Sequence, residues 1–337
     1  MRRVTFICAT PAEFGIDTPR SVGLGGIEST NLSLARALAR RGFAVVLATR
    51  RTGTVERDGV LNVPLDAALQ YPTDHVVSSN DPRPLLGARD ARRFLWVHNP
   101  LSLRQALRRG YLAPLLALRP EAVFVGSLAA RGMSRLFPYR RRRVIPHGVS
   151  AEFRTPAPTR GLTRDFVFAS QRQRGLDRLV RLWRDAPAVA ASGARLHVFG
   201  SEPADAAGRG GVVYHPRTGP DALAAFYATA RGMVCPGAAD ETFCLAAAEA
   251  QAMGLPVVTA GIGALFERVQ HGVNGLIACD DAAFAEAVAA VATDDGLWSE
   301  LSAGALLQRS ALTWERAATL WELAFREPAS REPSGPA

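Results

Sequence analysis

Short apolar runs alternate with amphipathic helical patterns along almost the whole chain. In the first half, such runs predict strands at 4–8, 44–48, 75–78, 94–97, 122–125 and 143–145. Between the first two strands, residues 28–41 carry apolar side chains at helical spacing on one face, and Gly42 ends this predicted helix. The alternation favours parallel sheets built from strand–helix–strand units.

The same alternation resumes in a second series of elements. Residues 144–149 and the proline-bearing stretch 155–163 interrupt the rhythm, which predicts a connection between two domains. Beyond it, strands are predicted at 166–169, 195–199, 212–215, 233–235, 256–259 and 275–278, with helices at about 175–186, 220–231, 242–253 and 281–293. Two such series predict a cleft between two sheet domains, with the carboxyl ends of the strands pointing into it.

These patterns divide the chain into four parts. We expect one Rossmann-like domain at 1–150 and a second at 151–310, which suits the length of 337 residues. An amphipathic helix is predicted within 311–327. Residues 328–337 are rich in Pro, Ser and Glu, which predicts a disordered tail.

Composition supports two globular domains. The chain is 48% apolar, and no apolar run reaches the ~18 residues that suggest a membrane span. The run at 4–8 is short and is followed by Pro11, Glu13 and Asp17, which favours a buried first strand over a signal peptide. We therefore expect a cytoplasmic protein.

Residue usage excludes several chemistries. All 40 basic residues are arginine, so a pyridoxal-phosphate Schiff base and a GKS/T phosphate loop, which both need lysine, are excluded. The 4 cysteines show no CxxC spacing, and the 6 histidines never pair at i, i+3 or i+4. We expect buried thiols in a reducing compartment and no metal site.

The charge is unevenly distributed between the two halves. Residues 1–150 carry 23 arginines and 10 acidic residues, a net charge of +13, whereas residues 151–337 carry 17 and 21, a net charge of −4. This asymmetry favours contact of the first half with an anionic surface or substrate. The alternative is that the arginines cover solvated helix faces.

The segment 235–258 is the most informative part of the chain. A strand ends at Cys235, a Pro/Gly loop carries Glu241, and a helix is predicted to open near Thr242. Glu249 follows Glu241 by eight residues, up to ~12 Å along a helix, which suits a sugar at one end of a ligand and a ribose at the other. A diphosphate between them would meet the helix dipole and the free amides at the helix start, those of Phe243, Cys244 and Leu245. The alternative is a helix-start acid and a solvated surface charge.

This acid pair resembles the Glu, seven residues, Glu signature of retaining glycosyltransferases of family 4, the group 1 glycosyltransferases. The similarity covers nearly the whole chain and includes Gly25–Glu28, Val144–Val149, Arg174–Asp177, Glu267 and Asn274–Leu276. It implies the GT-B fold, an α/β architecture of two Rossmann-like parallel-sheet domains facing a central cleft. It also implies that the helix at 311–327 packs back on the N-terminal domain.

The resemblance assigns roles to the residues of the pair. It implies that Glu241 lies beside the transferred sugar and acts in catalysis, that Glu249 binds the donor ribose, and that the amides of Phe243–Leu245 touch donor phosphate or sugar. The family often has glycine where Cys244 stands, and only the backbone is needed there.

Two arginines follow the first strand of the second domain. A diphosphate leaving group gains negative charge, and cationic side chains can stabilise it. The family usually has an arginine and then a lysine here; Arg174 takes the place of the lysine, and Arg172 is the candidate for the other cation, although Ser170 could occupy that position. Arginine can bind phosphate bidentately, which favours donor binding over solvated helix-start arginines.

The glycine loop at 23–28 does not match a dinucleotide-binding loop. Glu28 replaces the third glycine, and the loop starts some 14 residues after the first strand. The resemblance instead implies that Gly25 and Gly26 face the cleft and closely approach donor phosphate or acceptor.

His98 closes a predicted strand at the edge of the first sheet where clefts form. The resemblance implies that a histidine here approaches the sugar and acceptor, so His98 is a second catalytic candidate. The alternative is a hydrogen-bonded structural histidine. His147 is interpreted as part of the domain crossing.

The resulting hypothesis is a retaining transferase of the hexosyltransferase class. It would move a sugar from a nucleotide-diphosphate sugar to a sugar or lipid-linked glycan acceptor of a bacterial cell surface, such as lipopolysaccharide, without a cofactor or essential metal. The arginines at 140–143, with Arg104, Arg108 and Arg109, predict peripheral contact with an anionic membrane; nucleic acid is disfavoured because no recognition motif is present. The alternatives are a GT-B sugar-nucleotide epimerase and a non-catalytic basic binding protein.

Overall fold

The computed structural model describes residues 2–155, 163–200 and 210–328. Most of the predicted connection at 155–163 and of the predicted tail at 328–337 lies outside these ranges. The first half of the chain contains β1 (Arg3–Cys8), α1 (Gly26–Arg40), β2 (Ala44–Thr49), β3 (Val55–Arg57), β4 (Val60–Pro64), β5 (His75–Ser79), β6 (Arg92–Val97), α2 (Leu103–Arg108), α3 (Leu112–Leu118), β7 (Glu121–Phe124), α4 (Ser127–Gly132) and β8 (Arg141–Val144).

The second half continues the alternation of strands and helices. It contains β9 (Asp165–Phe168), α5 (Leu176–Asp185), α6 (Pro187–Ser192), β10 (Arg195–Phe199), β11 (Val212–His215), α7 (Pro220–Tyr227), β12 (Gly232–Val234), α8 (Leu245–Ala252), β13 (Val257–Thr259), α9 (Leu265–Arg268), β14 (Gly275–Ile277), α10 (Asp281–Thr293), α11 (Asp295–Leu307) and α12 (Trp314–Arg326). Every strand predicted from the apolar runs is present, with ends that differ by at most two residues.

The first sheet has the strand order β3-β4-β2-β1-β5-β6-β7-β8 in the described residues. Its neighbours pair in parallel, except that β3 is antiparallel to β4. Strands β3 and β4 were not predicted from sequence, because this hairpin is short and its first strand is largely exposed. The order places the carboxyl ends of β1, β5 and β6 side by side.

Helix α12 packs on one face of the first sheet through an aromatic cluster. The ring of Trp321 lies 5.4 Å from that of Trp96 and 6.4 Å from that of Phe6, and Phe325 lies 5.2 Å from Phe94. All five rings are buried, so the apolar stripe of this last helix completes the core that β1 and β6 begin.

The second sheet has the strand order β11-β10-β9-β12-β13-β14 in the described residues, with parallel pairing throughout. The chain order steps outward from β9 to β10 and β11, returns to β12 on the other side of β9, and continues to β14. This reversal between β9 and β12 is a topological switch point, where ligands bind in open parallel sheets.

The described residues divide into two compact units. The first contains 2–17, 27–146 and 314–328, and the second contains 18–26, 147–155, 163–200 and 210–313. Residues 18–26 and 147–150, expected in the first domain, fall with the second unit, whereas the last helix falls with the first unit. None of the described helices has both the length and the apolar character to cross a bilayer.

Contacts of Arg20 explain why residues 18–26 fall with the second unit. Its guanidinium donates to Asp221 over 2.8 and 3.0 Å and also contacts Glu152. A Cβ at Gly219 would lie 1.9 Å from the Arg20 carbonyl oxygen, so glycine alone permits this close backbone approach. The spacing of apolar residues along the sequence does not predict a contact of this kind.

Candidate functional site

Two loops meet at the switch point of the second sheet. One follows β9 and carries Arg174; the other follows β12 and carries Glu241. The Gly237 amide donates to the Arg174 carbonyl over 3.2 Å and joins the loops. Gly175 has a φ of +104°, and a Cβ there would lie 2.7 Å from Pro236, so glycine allows the loops to touch.

Arg174 forms an ion pair with Glu241. Its Nε lies 3.3 Å from Glu241 Oε2, and the guanidinium also contacts the Asp240 carboxylate. The side chains of Arg174 and Glu241 are each 12% exposed, whereas that of Asp240 is 62% exposed. The pair is therefore shielded enough from water for its charges to act strongly on a ligand.

The second oxygen of the Glu241 carboxylate is fixed by the backbone. Glu241 Oε1 accepts the amide of Cys244 over 3.1 Å. Gly263, with a φ of +65°, packs against it, since a Cβ there would lie 2.9 Å from Glu241 Cβ. Both carboxylate oxygens thus have a defined partner, and the side chain is held in one orientation.

Helix α8 begins at Leu245 and not near Thr242 as the sequence indicated. The difference arises at Cys244, which adopts a left-handed conformation with a φ of +56°. The Cys244 amide, assigned to the donor from sequence, is used to hold Glu241. The first-turn amides of α8, starting with Leu245, lack partners within the helix and remain suited to an anion.

Arg268 is a second, half-buried cation near this site that was not predicted from sequence. Its Nε donates to the Phe243 carbonyl over 2.9 Å, and its guanidinium lies 4.2 Å from the centre of the Phe243 ring. Burial lowers the pKa of Arg268, while the nearby Cys244 and Glu241 act to raise it. Phe243 therefore contributes by orienting this arginine, and Arg268 directly follows Glu267 of the family motif.

Glu249 lies on α8, one turn beyond its first residue, and is half-buried. Desolvation raises the pKa of its carboxyl to about 8. Tyr227, the last residue of α7, was also missed from sequence; burial and then the charge of Glu249 raise the pKa of its phenol. The Tyr227 hydroxyl is buried and has no hydrogen-bond partner among the described residues.

Arg172 is not brought to Glu241 by the contacts of the structure. Its Nε donates to Asp177 over 3.0 Å, and its side chain is 46% exposed. Asp177 sits in the first turn of α5, where its charge also complements the helix dipole. Of the two arginines that the sequence assigned to the diphosphate, Arg174 alone contacts the carboxylates after β12 among the described residues.

The glycines assigned to the donor lie in the segment 18–26. Gly26 begins α1, and the preceding Gly25 belongs to a loop that forms part of the second unit. Within this loop, a Cβ at Gly23 would lie 2.6 Å from the Thr218 carbonyl oxygen. The loop therefore rests on the backbone just before α7.

His98 lies in the first unit, directly after β6. Its amide donates to Asn80 Oδ1 over 2.8 Å, and its ring packs 4.4 Å from that of Trp96. Burial lowers the pKa of His98 to about 3. The imidazole is therefore neutral at physiological pH and suits a hydrogen-bonding role, not that of a cation.

Potential metal ligands do not cluster in the part of the chain that the structure describes. No three His, Cys, Asp or Glu side chains converge there in a way that could hold a metal ion. Cys235 and Cys244 are buried, and a hydrogen bond with the Cys235 thiol together with burial raises the pKa of Cys244 well above its ordinary value. These thiols are packing residues.

Residues 163–294 match the family model described as glycosyl transferases group 1. D-inositol 3-phosphate glycosyltransferase of Xylanimonas cellulosilytica is 35% identical over 125 residues, which are 36% of this chain and 30% of that protein. The chain thus matches less than a third of the length of this relative.

Two solved structures share the architecture of nearly the whole chain. Sucrose-phosphate synthase from Thermosynechococcus elongatus has a TM-score of 0.73 at 18% identity, over 97% of this chain and 98% of that one. Anabaena HepE in complex with UDP and glucose has a TM-score of 0.70 at 14% identity, over 96% and 100%. These matches confirm the resemblance indicated by the sequence motifs: the chain has the GT-B fold, and its second unit carries the sequence pattern of the group 1 glycosyltransferases.

Proposed function

We propose that the protein is a retaining glycosyltransferase that moves a hexose from a nucleotide-diphosphate sugar to an acceptor. The observation that carries this proposal is the ion pair between Arg174 and Glu241 at the start of α8, within the region that matches the group 1 family. It sets a cation, a carboxylate and free helix amides around one point, as cleavage of an activated sugar requires.

Each group has a defined task in the proposed reaction. When the bond between the sugar and the diphosphate breaks, negative charge grows on the diphosphate and positive character grows on the sugar ring. Arg174 and the first-turn amides of α8 stabilise the diphosphate. Arg268, which is hydrogen-bonded to the Phe243 carbonyl just before α8, adds positive electrostatic potential. The fixed Glu241 carboxylate stabilises the positively charged sugar ring. Retention follows if the acceptor attacks the face from which the diphosphate leaves.

Glu249 and Tyr227 are proposed to receive the nucleoside. In its ionised form the Glu249 carboxylate accepts hydrogen bonds from both ribose hydroxyls. The buried Tyr227 hydroxyl lies close enough for the Glu249 charge to raise its pKa, so it can help to orient the carboxylate. We propose no cofactor and no essential metal, because the sequence has no Asp-x-Asp motif.

The acceptor is proposed to be a cell-surface glycan or glycolipid, with residues 10–110 and His98 on the acceptor side and the reaction in the cytoplasm. Anabaena HepE was solved with UDP and glucose, which makes UDP-sugars the first donors to test. The named relative acts on an inositol phosphate, which makes D-inositol 3-phosphate the first soluble acceptor to test.

A thermal-shift screen with UDP-, GDP-, ADP- and dTDP-sugars, in the presence of EDTA, tests this proposal. We expect one nucleotide class to raise the melting temperature, and that donor to be consumed only when an acceptor is added. Glu241→Ala should abolish transfer and keep the fold. Conversion of the donor alone into a second sugar nucleotide would show an epimerase instead, and full transfer by Glu241→Ala would refute the assignment of the site.

A further inference from the structure

Glu28 is a buried carboxylate at the start of α1. It lies in the first turn of the helix and is 8% exposed. None of the hydrogen bonds or ion pairs among the described residues involves its carboxylate. Removing a carboxylate from water is costly when the protein supplies no donor in exchange. A buried group of this kind is explained when a ligand brings the missing donors.

The helix dipole explains an acid at this position but not its burial. The positive end of α1 stabilises a carboxylate in its first turn, and an exposed side chain gains this stabilisation as well. Residues 1–150 contain 23 arginines, yet no arginine in the described part of the chain pairs with Glu28. Arg36 of the same helix pairs with Asp58 over 2.8 Å instead. The fold therefore keeps the Glu28 carboxylate buried and without a cation beside it.

Glu28 lies at the carboxyl edge of the first sheet, beside the end of β1. Burial and then the charge of Glu28 raise the pKa of Cys8, the last residue of β1, to about 12. Three residues further along α1, the Asn31 amide donates to Ser79 Oγ over 3.0 Å. Ser79 is the last residue of β5, so the first turns of α1 are in contact with the ends of both strands.

The same edge carries His98. Asn80, which follows β5 with a φ of +61°, accepts the amide of His98 over 2.8 Å and that of Asn99 over 3.2 Å. Strands β1, β5 and β6 are neighbours in the sheet, so Glu28 and His98 flank the ends of three adjacent strands. Because the imidazole of His98 is neutral, these two groups offer a ligand hydrogen-bond acceptors and no positive charge.

The arginines that follow β2 and β5 at this edge do not cancel the charge of Glu28. Two of them are already paired, Arg51 with Asp17 and Arg83 with Asp81. A third, Arg50, is exposed to solvent. Water and salt screen an exposed charge far more than a buried one. The negative charge of Glu28 therefore dominates the electrostatic potential next to the end of β1.

We propose that Glu28 binds the acceptor and selects acceptors that present hydroxyl or ammonium groups, as uncharged sugars and amino sugars do, over phosphorylated ones. The inference rests on the proposed transfer reaction and names the class of acceptor for it. Each oxygen of the carboxylate accepts a hydrogen bond from a hydroxyl or an ammonium group, and these are the donors that the folded chain lacks. A phosphate in the same place would bring two negative charges together in a shielded environment, where their repulsion is strong.

A transfer assay with matched acceptors tests this selection. The panel contains glucose, glucosamine and glucose 6-phosphate, together with myo-inositol and D-inositol 3-phosphate. Compounds that accept no sugar are measured as inhibitors of the hydrolysis of the donor by water. We expect the unchanged protein to prefer the uncharged and amino compounds to the phosphorylated ones by at least about tenfold in kcat/KM or in inhibition constant.

Two variants of Glu28 separate its charge from its place in the fold. Glu28→Gln removes the charge at nearly constant volume, so kcat/KM for the amino sugar should fall about tenfold and the discrimination against phosphate should disappear. Its melting temperature should stay the same or rise, because an unpaired buried charge is removed. Glu28→Asp keeps the charge and should keep the order of acceptors. A purely structural role of Glu28 would leave that order the same in both variants.

Glu56→Gln is the matched control, because it removes an exposed carboxylate from β3 and should leave the order of acceptors unchanged. Phosphorylated acceptors that work as well as uncharged ones, an unchanged order in Glu28→Gln, or a panel without any uncharged or amino compound that binds would overturn the proposal. Calorimetric titration with the nucleoside diphosphate of the donor distinguishes this failure from failure of the proposed function. A chain that binds the nucleotide but shows no effect of Glu28 on the acceptors refutes this inference alone, whereas a chain that binds no nucleotide is not the proposed transferase.

Discussion

Arg174 and Glu241 hold each other in place across the two loops that meet at the switch point of the second sheet, with Arg174 Nε 3.3 Å from Glu241 Oε2. Because Cys244 fixes the other carboxylate oxygen, the pair needs no rearrangement to present both charges to a ligand. Preorganisation of this kind is the main way in which an enzyme stabilises charge that develops in a transition state.

Glu249 should make donor binding depend on pH. Its carboxyl has a pKa raised to about 8 by desolvation, so it is largely protonated at pH 6.5 and largely ionised at pH 9. The ionised form accepts ribose hydroxyls better, and the KM for the donor should therefore fall as the pH rises through 8. Steady-state kinetics from pH 6.5 to 9 measure this change. In Glu249→Gln, the KM for the donor should not change with pH over this range. If its KM follows the same pH curve as that of the unchanged enzyme, Glu249 is not the group that titrates.

Cys244 should tolerate glycine and reject a β-branched residue. Its φ of +56° favours glycine, and a left-handed β-branched residue costs on the order of 1–3 kcal/mol. Cys244→Gly should retain transfer and change the free energy of unfolding by no more than about 1 kcal/mol. Cys244→Val should be destabilised and lose activity, because its amide no longer holds Glu241. Urea unfolding and a transfer assay compare the two variants. Equal stability and equal activity of Cys244→Gly and Cys244→Val would contradict the proposal that the left-handed backbone at this position holds Glu241.

The strands and the acid pair were readable from sequence because apolar periodicity and the Glu241–Glu249 spacing are local signals. The left-handed conformation of Cys244 was not readable, since cysteine rarely adopts a positive φ and its identity gives no local signal for one. Arg268 was missed because its position beside Phe243 depends on tertiary packing of α9 against the loop before α8. The ion pairs of Arg141 and Arg143 were not readable for the same reason, because their partner Glu327 lies 186 and 184 residues away.

His98 should resist protonation and make the first unit sensitive to acid. Burial holds the pKa of His98 near 3 in the folded state, whereas an unfolded histidine titrates near 6.5. The unfolded state therefore binds a proton first as the pH falls. Stability is present above about pH 6.5 and is lost progressively toward pH 3, by roughly 3 kcal/mol at pH 4. The His98 imidazole resonance, assigned with His98→Asn, should not move between pH 8 and 5; a midpoint near 6.5 would contradict its burial.

The contact of Arg20 with Asp221 and the backbone of Gly219 should keep the segment 18–26 docked. A Cβ at Gly219 would lie 1.9 Å from the Arg20 carbonyl oxygen, so Gly219→Ala should displace the segment. Limited trypsin digestion after Arg20 measures this displacement, and cleavage should accelerate at least tenfold. Gly132→Ala, whose added Cβ meets no atom within 4 Å, serves as the control. Unchanged cleavage in Gly219→Ala would show that the segment does not depend on this contact.

The central claim is that Arg174 and Glu241 form the diphosphate and sugar site. Calorimetric titration with the nucleoside diphosphate of the best donor, in EDTA, tests it most directly. Arg174→Ala should lose about 10- to 100-fold in affinity, the value of a charge-assisted phosphate contact, whereas the exposed Arg57→Ala should bind normally. Equal affinity in Arg174→Ala and the unchanged protein would place the nucleotide elsewhere and contradict the account.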